Sequence, residues 1–382
     1  MVYSYADLRD HLLDYLGGST DLMNERACRV AAQNGYRELA EIHRWSYYKL
    51  MGRIVTIAPY STGTIQYANS TRTVTLSGGV WPAWAARGVV RIDNVPYEVA
   101  VRVSDTEIVL GHAANPGADV AAGTVYQIYQ ETYRLPTDFV AMDDVVRLNS
   151  GIILMQVPQR EWIRRQGILH SPSEPRIFCV LGDPDYVGAM AIVLSPPPSR
   201  VWTASYLYQR RPQELKVLQY AEGTASVTVS TDAVTGVGAS WTEDMEGSII
   251  RFAADGDAEQ DPPSGPSGKN PSVMDRMVME VNNATSLTLD QAADRTLATV
   301  RYAISSPLDV EDGSMLTALF RECERQLRLT MRPARPSAGE DQIYAQAIER
   351  ARENDNRDLS RKYAGQVSTG RYWPRLRDFP SA

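Results

Sequence analysis

Few of the residue types that do chemistry stand near one another in this 382-residue sequence. The four histidines, His11, His43, His112 and His170, are widely separated, and none has a neighbour with which to form a ligand pair. Cys28, Cys179 and Cys323 are also far apart and odd in number, so they form neither a disulfide framework nor a zinc motif. No phosphate-cradling glycine loop, nucleophile elbow or His-Glu-x-x-His helix occurs. Asp143-Asp144 and Asp183-x-Asp185 are paired acids, read as solvated turns rather than as an acid–base couple. Asp255-x-Asp257-x-Glu259 offers carboxylates to a cation but lacks the Gly and Glu of a calcium loop, so it is read as polar loop. The expectation is a non-enzymatic structural protein with no catalytic, cofactor-binding or metal-ligating residue and no cofactor.

Composition agrees with a folded, non-basic chain. Hydrophobic residues make up 43%, enough for sizeable cores, and the net charge of -7 argues against nucleic-acid binding by the chain as a whole. The opening MVYSYADLRDHLLDYL has no basic segment followed by an apolar run, and no stretch approaches membrane-spanning length. A soluble protein with no membrane partner, made in a reducing cytoplasm, is expected.

Two kinds of element must hold these residues. Ser4 followed by Asp7 has capping-box spacing, and Leu8, Leu12 and Tyr15 recur at helical intervals up to Gly17-Gly18. A longer helical pattern runs from Asp21 to about Arg44, which makes residues 1–50 a helical hairpin. The period then changes to two, and residues 51–132 read as a first small antiparallel β-domain. Residues 133–222 read as a mixed α/β connector, with a short helix after Phe139, another at Glu161–Gln166 and strands at Ile177–Leu181 and Val201–Gln209. A second β-domain follows over 223–305, with a long exposed Pro/Gly loop at 255–275; residues 306–366 return to helices, and 367–382 form a tail. The expected fold class is α+β, a helical bundle frame from the N- and C-terminal helices with two inserted small antiparallel β-barrel or sandwich domains.

The two β regions carry the same markers in the same order. Gly63-Thr64 answers Gly223-Thr224, and Trp84 with Gly88 to Ile92 answers Trp241 with Gly247 to Phe252. Glu98-Val99 is aligned with Glu280-Val281, Thr106-x-Ile108-x-Leu110 with Thr285-x-Leu287-x-Leu289, and Tyr126-x-Ile128 with Tyr302-x-Ile304. A duplication is expected, with the 255–275 loop inserted in the second copy.

Function is then left to surfaces. The charge-rich helix Glu340 to Arg361 offers Arg350, Glu353, Arg357 and Arg361 for contact between subunits. In the tail, Tyr372, Trp373, Arg375, Arg377 and Phe379 interleave aromatic anchors with positive charge, a pattern for docking onto a neighbour.

The layout resembles the head-to-tail adaptors (connectors) of tailed bacteriophages, including the tail tubular A type. The residues behind the resemblance are the helical hairpin ending in Trp45, the Leu135-Pro136-Thr137-Asp138-Phe139 segment, and the stretch from Leu194 through Tyr206-x-Tyr208 to Arg211-Pro212. The resemblance implies a virion protein at the head–tail interface: a homo-oligomeric ring, a dodecamer in the family, joining portal to tail. Its partners would be the portal protein, the tail nozzle or tube, possible fibre proteins, and genomic DNA passing through the channel without sequence recognition during ejection. An alternative is a carbohydrate- or receptor-binding tail protein using the β-domains, with Trp81, Trp84 or Trp241 as stacking platforms.

Overall fold

The structure, a computed structural model, describes residues 3–18, 21–165, 171–256, 261–265, 268–311, 313–331 and 338–367. These residues divide into two compact units, one of residues 48–211 and one of 1–47 with 212–382. Strand (37%) exceeds helix (25%), and three seven-stranded sheets dominate. The expected helical bundle frame with two small inserts is therefore corrected: the chain is mostly β, and the supposed mixed connector builds a third sheet.

The first unit by sequence opens with helices α1 (Tyr5–Tyr15) and α2 (Leu22–Ile42). Ser4 caps α1 and Asp7 returns the bond to the Ser4 N–H, the reciprocal arrangement that the spacing predicts. Leu8, Leu12, Ala31, Ala32 and Leu39 form the buried faces of the two helices.

In residues 48–211, β1 (Lys49–Val55) does not belong to the first β-domain, as its sequence position suggests, but pairs antiparallel with residues 203–210. The first β-domain consists of β2 (Thr64–Ala68), β3 (Thr73–Ser77), β4 (Val89–Ile92), β5 (Val95–Arg102), β6 (Glu107–Leu110), β7 (Val120–Thr124) and β8 (Tyr126–Tyr129), in the order β7-β2-β3-β6-β5-β4-β8. The third sheet combines β1 with β9 (Thr132–Arg134), β10 (Phe139–Leu148), β11 (Ile153–Gln156), β12 (Ile177–Gly182), β13 (Met190–Ser195) and β14 (Thr203–Arg210). Its order is β1-β14-β10-β11-β12-β13-β9, and α3 (Gln159–Arg165) lies between β11 and β12 in the chain. The helix expected after Phe139 is instead β10. A bulge between Met142 and Val146 interrupts its two-residue period, which is why alternation does not announce it. Strand β13 is buried on both faces and likewise carries no alternation.

The other unit continues with β15 (Thr224–Val227), β16 (Ala233–Val237), β17 (Ile249–Phe252), β18 (Met274–Asn283), β19 (Ser286–Leu289), β20 (Leu297–Val300) and β21 (Tyr302–Ser305). Their order, β20-β15-β16-β19-β18-β17-β21, repeats that of the first β-domain strand for strand. Gly63 and Gly223 both adopt positive φ, +86° and +77°, and at each a Cβ would collide with the carbonyl of Ser77 or Val237. The register corrects two of the sequence pairings. Trp81, not Trp84, is the counterpart of Trp241: both are buried edge-on against Tyr126 and Tyr302. Val99 faces Leu110 as Val278 faces Leu289, so Glu98 corresponds to Met277 rather than to Glu280.

Helices α4 (Ser314–Met331) and α5 (Ala338–Val367) complete this unit. Helix α4 packs on α2 so closely that a Cβ on Gly35 would lie 2.6 Å from the Cys323 Sγ. The thiols are core atoms: burial pushes Cys28 up to about 11 and Cys323 well above the ordinary thiol range. The 255–275 segment is not wholly exposed: Pro263 and Gly265 are buried, and Ser264 bridges Pro271. No helix among the described residues is long and apolar enough to cross a membrane.

Candidate functional site

Three stations tie the elements together, and each uses a charged side chain. The first is Arg251 on β17. Its side chain is 4% exposed and forks onto Asp7, with Nη1 at 2.8 Å and Nη2 at 2.7 Å, while Nη1 also donates to the Ser4 Oγ at 3.1 Å. Burial alone would raise the Asp7 carboxyl, but the guanidinium and the Ser4 bonds outweigh it and hold Asp7 below the usual carboxylate range. The second β-domain is thereby fixed to the start of α1, and Gly265 of the inserted loop donates its N–H to the same carboxylate.

In the other unit, Arg87 reaches Asp183 and Asp185, both at 2.6 Å. The Asp183 side chain is fully buried, and despite that burial Arg87 holds its carboxyl below the usual range. Asp183-x-Asp185 is thus an arginine clamp between the first β-domain and the third sheet, not a solvated turn. Arg134 lies over the adjacent Tyr186 ring at 3.7 Å.

The third station anchors α5. Asp355 accepts from the Ser46 N–H at 3.0 Å, from the Ser46 hydroxyl, and from His43 Nε2 at 2.9 Å. Serine and imidazole both contact the carboxylate rather than each other, so this is not the nucleophile–base contact of an activated serine. Arg352 adds a bond to the Ile42 carbonyl, and Ile348 and Ala351 are buried on the same side. Arg350 and Glu353, named for intersubunit contact, are exposed on the helix. The side chains of Arg357 and Arg361 lie outside the described residues, as do Tyr372, Trp373, Arg375, Arg377 and Phe379.

Of the remaining residues with chemical potential, His11 pairs with Glu324 at 2.9 Å. The side chains of Asp143 and Asp144 lie outside the described set, as does most of the Asp255-x-Asp257-x-Glu259 stretch. Among the described residues no group of three or more His, Cys, Asp or Glu side chains could hold a metal ion. Of the three indoles considered for sugar stacking, Trp81 and Trp241 are core residues, and Trp84 alone keeps partial exposure.

One surface escaped the sequence reading. The third sheet buries Ile54, Ala204, Tyr206, Val146, Leu148 and Leu154 on one face. On the opposite face Met51, Leu207, Val145 and Met155 follow one another across four neighbouring strands, 63%, 47%, 54% and 53% exposed. The next row runs Arg53, Ser205, Arg147, Ile153 in direct register. Neither arginine forms an ion pair among the described residues.

The sequence matches no protein-family model, and no curated protein matches it.

Proposed function

We propose that this chain is a structural protein of a tailed-phage virion, a ring-forming head-to-tail adaptor that joins the portal to the tail and lines part of the DNA channel. The observation that carries the reading is the apolar row Met51, Leu207, Val145 and Met155. Side chains of this size left in water side by side across about 14 Å of sheet are a feature of assembling subunits rather than of solitary ones. The arginine clamps support the same reading. They tie each β-domain to its neighbouring element and leave rigid surfaces for partners. The Leu135–Phe139 segment leads into β10 and the 194–212 stretch into β14, so the segments behind the resemblance build the sheet that displays the row.

The test is the assembly state of the full chain, followed by mass photometry and negative-stain microscopy up to its highest soluble concentration. Closed rings are expected. A chain that stays monomeric throughout overturns the proposal.

A further inference from the structure

The charge is unevenly divided along the chain. Residues 223–305 hold twelve acidic and five basic side chains, whereas the segments of the third sheet, 48–55 and 132–211, hold eleven basic and seven acidic ones. On the second β-domain, Glu243 and Asp244 are exposed on the turn before β17, and Met279 (62% exposed) and Glu280 lie on β18, which packs against that turn through the Val281 N–H to Glu246 bond. In the first copy the equivalent turn carries Arg87 and is engaged by Asp183 and Asp185. In the second copy it is acidic and exposed, with Lys216 3.7 Å from Asp244.

We infer that the Arg53/Arg147 face of the third sheet is a docking surface for the acidic second β-domain of another copy of this chain. This rests on the adaptor reading and names the contact that would build the ring. The two surfaces are complementary in both respects: apolar side chains (Met51, Leu207, Val145 and Met155 against Met279) are flanked by opposite charges. The contact joins two different surfaces of the chain. The contact is therefore heterologous, and it closes into a ring or continues as a filament. The chain's own tail is a poor occupant, because Arg371, Arg375 and Arg377 carry the same sign as the face. Two arginines among four large apolar side chains also make a poor phosphate track.

The experiment uses full-length protein in mass photometry at low and high salt. Wild type is expected to assemble beyond dimers and to dissociate as salt rises. Arg53→Glu with Arg147→Glu is expected to weaken assembly at least about tenfold, and so is Glu243→Lys with Asp244→Lys and Glu280→Lys. An equimolar mixture of the two variants recovers assembly, because every contact in an alternating ring then joins opposite charges. That recovery also shows that each variant is folded. If wild type assembles but both variants assemble equally well, this interface is wrong and the adaptor reading stands. If wild type is monomeric under all conditions, both fail. A short DNA duplex bound through Arg53 and Arg147, with assembly unaffected by their reversal, overturns the inference in favour of phosphate recognition.

Discussion

Tyr126 and Tyr302 make the same hydrogen bond in two different sheets. The Tyr126 hydroxyl donates to the Thr62 carbonyl at 2.8 Å, and the Tyr302 hydroxyl donates to the Glu222 carbonyl at 2.5 Å. The resemblance extends to their neighbours. Tyr60 and Tyr220 bridge Ile128 and Ile304 and accept the N–H of Val80 and Ser240. Two independently arising β-domains have no reason to share the strand order, the buried indole and both tyrosine bonds. Duplication accounts for all of them at once.

Equivalent positions should then respond equally to substitution. Gly63→Ala would place a Cβ 2.2 Å from the Ser77 carbonyl, and Gly223→Ala one 2.4 Å from that of Val237, in both cases at positive φ. Each is expected to destabilise its own unit by roughly 1–3 kcal/mol. Urea melts of the two variants check this, and a neutral result at either site would show that the backbone there relaxes freely.

Arg251→Ala strands a buried carboxylate and is expected to cost about 3–5 kcal/mol. Replacing Arg251 by Met and Asp7 by Leu together should recover part of that loss, since the charge is removed along with its partner while the Ser4 and Gly265 N–H groups lose their acceptor. The acid limb follows from the depressed Asp7 pKa. The pair's stabilisation is complete above the ordinary carboxylate pKa and is lost as pH falls through the lower folded value. Thermal melts of wild type between neutral pH and pH 3 should therefore fall more steeply than those of the double variant.

The duplication was legible because its markers are local: a Gly-Thr turn, an indole and a Gly before an Arg-bearing strand. Which tryptophan fills the core was not, because Trp81 and Trp84 stand three positions apart and only register distinguishes them. The third sheet was hidden by non-local pairing, since β1 and β14 meet from opposite ends of their unit. The Arg53 face was hidden with it: Met51, Arg53 and Val55 look like any alternating strand until Leu207 and Arg147 are set beside them. Arg251 and Arg87 could have been suspected from basic residues at matched or turn positions, but the acids that hold them are distant in sequence.

Asp355 is the hinge-pin of α5, a helix about 45 Å long at 1.5 Å per residue. Asp355→Ala removes the acceptor of the Ser46 N–H, the Ser46 hydroxyl and His43, a loss of about 1–3 kcal/mol. Because the bonds are confined to one contact, the loss should appear as local opening. Hydrogen exchange of α5 amides should accelerate while β15–β21 keep their protection. Equal acceleration in both would show that α5 does not open as a separate element.

Glu131 provides a test of opposite sign. Burial, with a smaller contribution from the nearby Glu98 charge, raises its carboxyl to about 7. The unfolded chain releases this proton near the ordinary glutamate value, so between there and about pH 7 the folded state holds one proton more. Stability must then fall as pH rises through that window. At about 1.4 kcal/mol per pH unit, and allowing for water that still reaches the half-buried group, the loss is on the order of 2 kcal/mol. Glu131→Gln cannot ionise and should remove it. The variant is expected to melt at wild-type temperature at pH 5 and several degrees higher at pH 8. A variant that gains nothing at pH 8 would mean that the Glu131 carboxylate is compensated in the folded state.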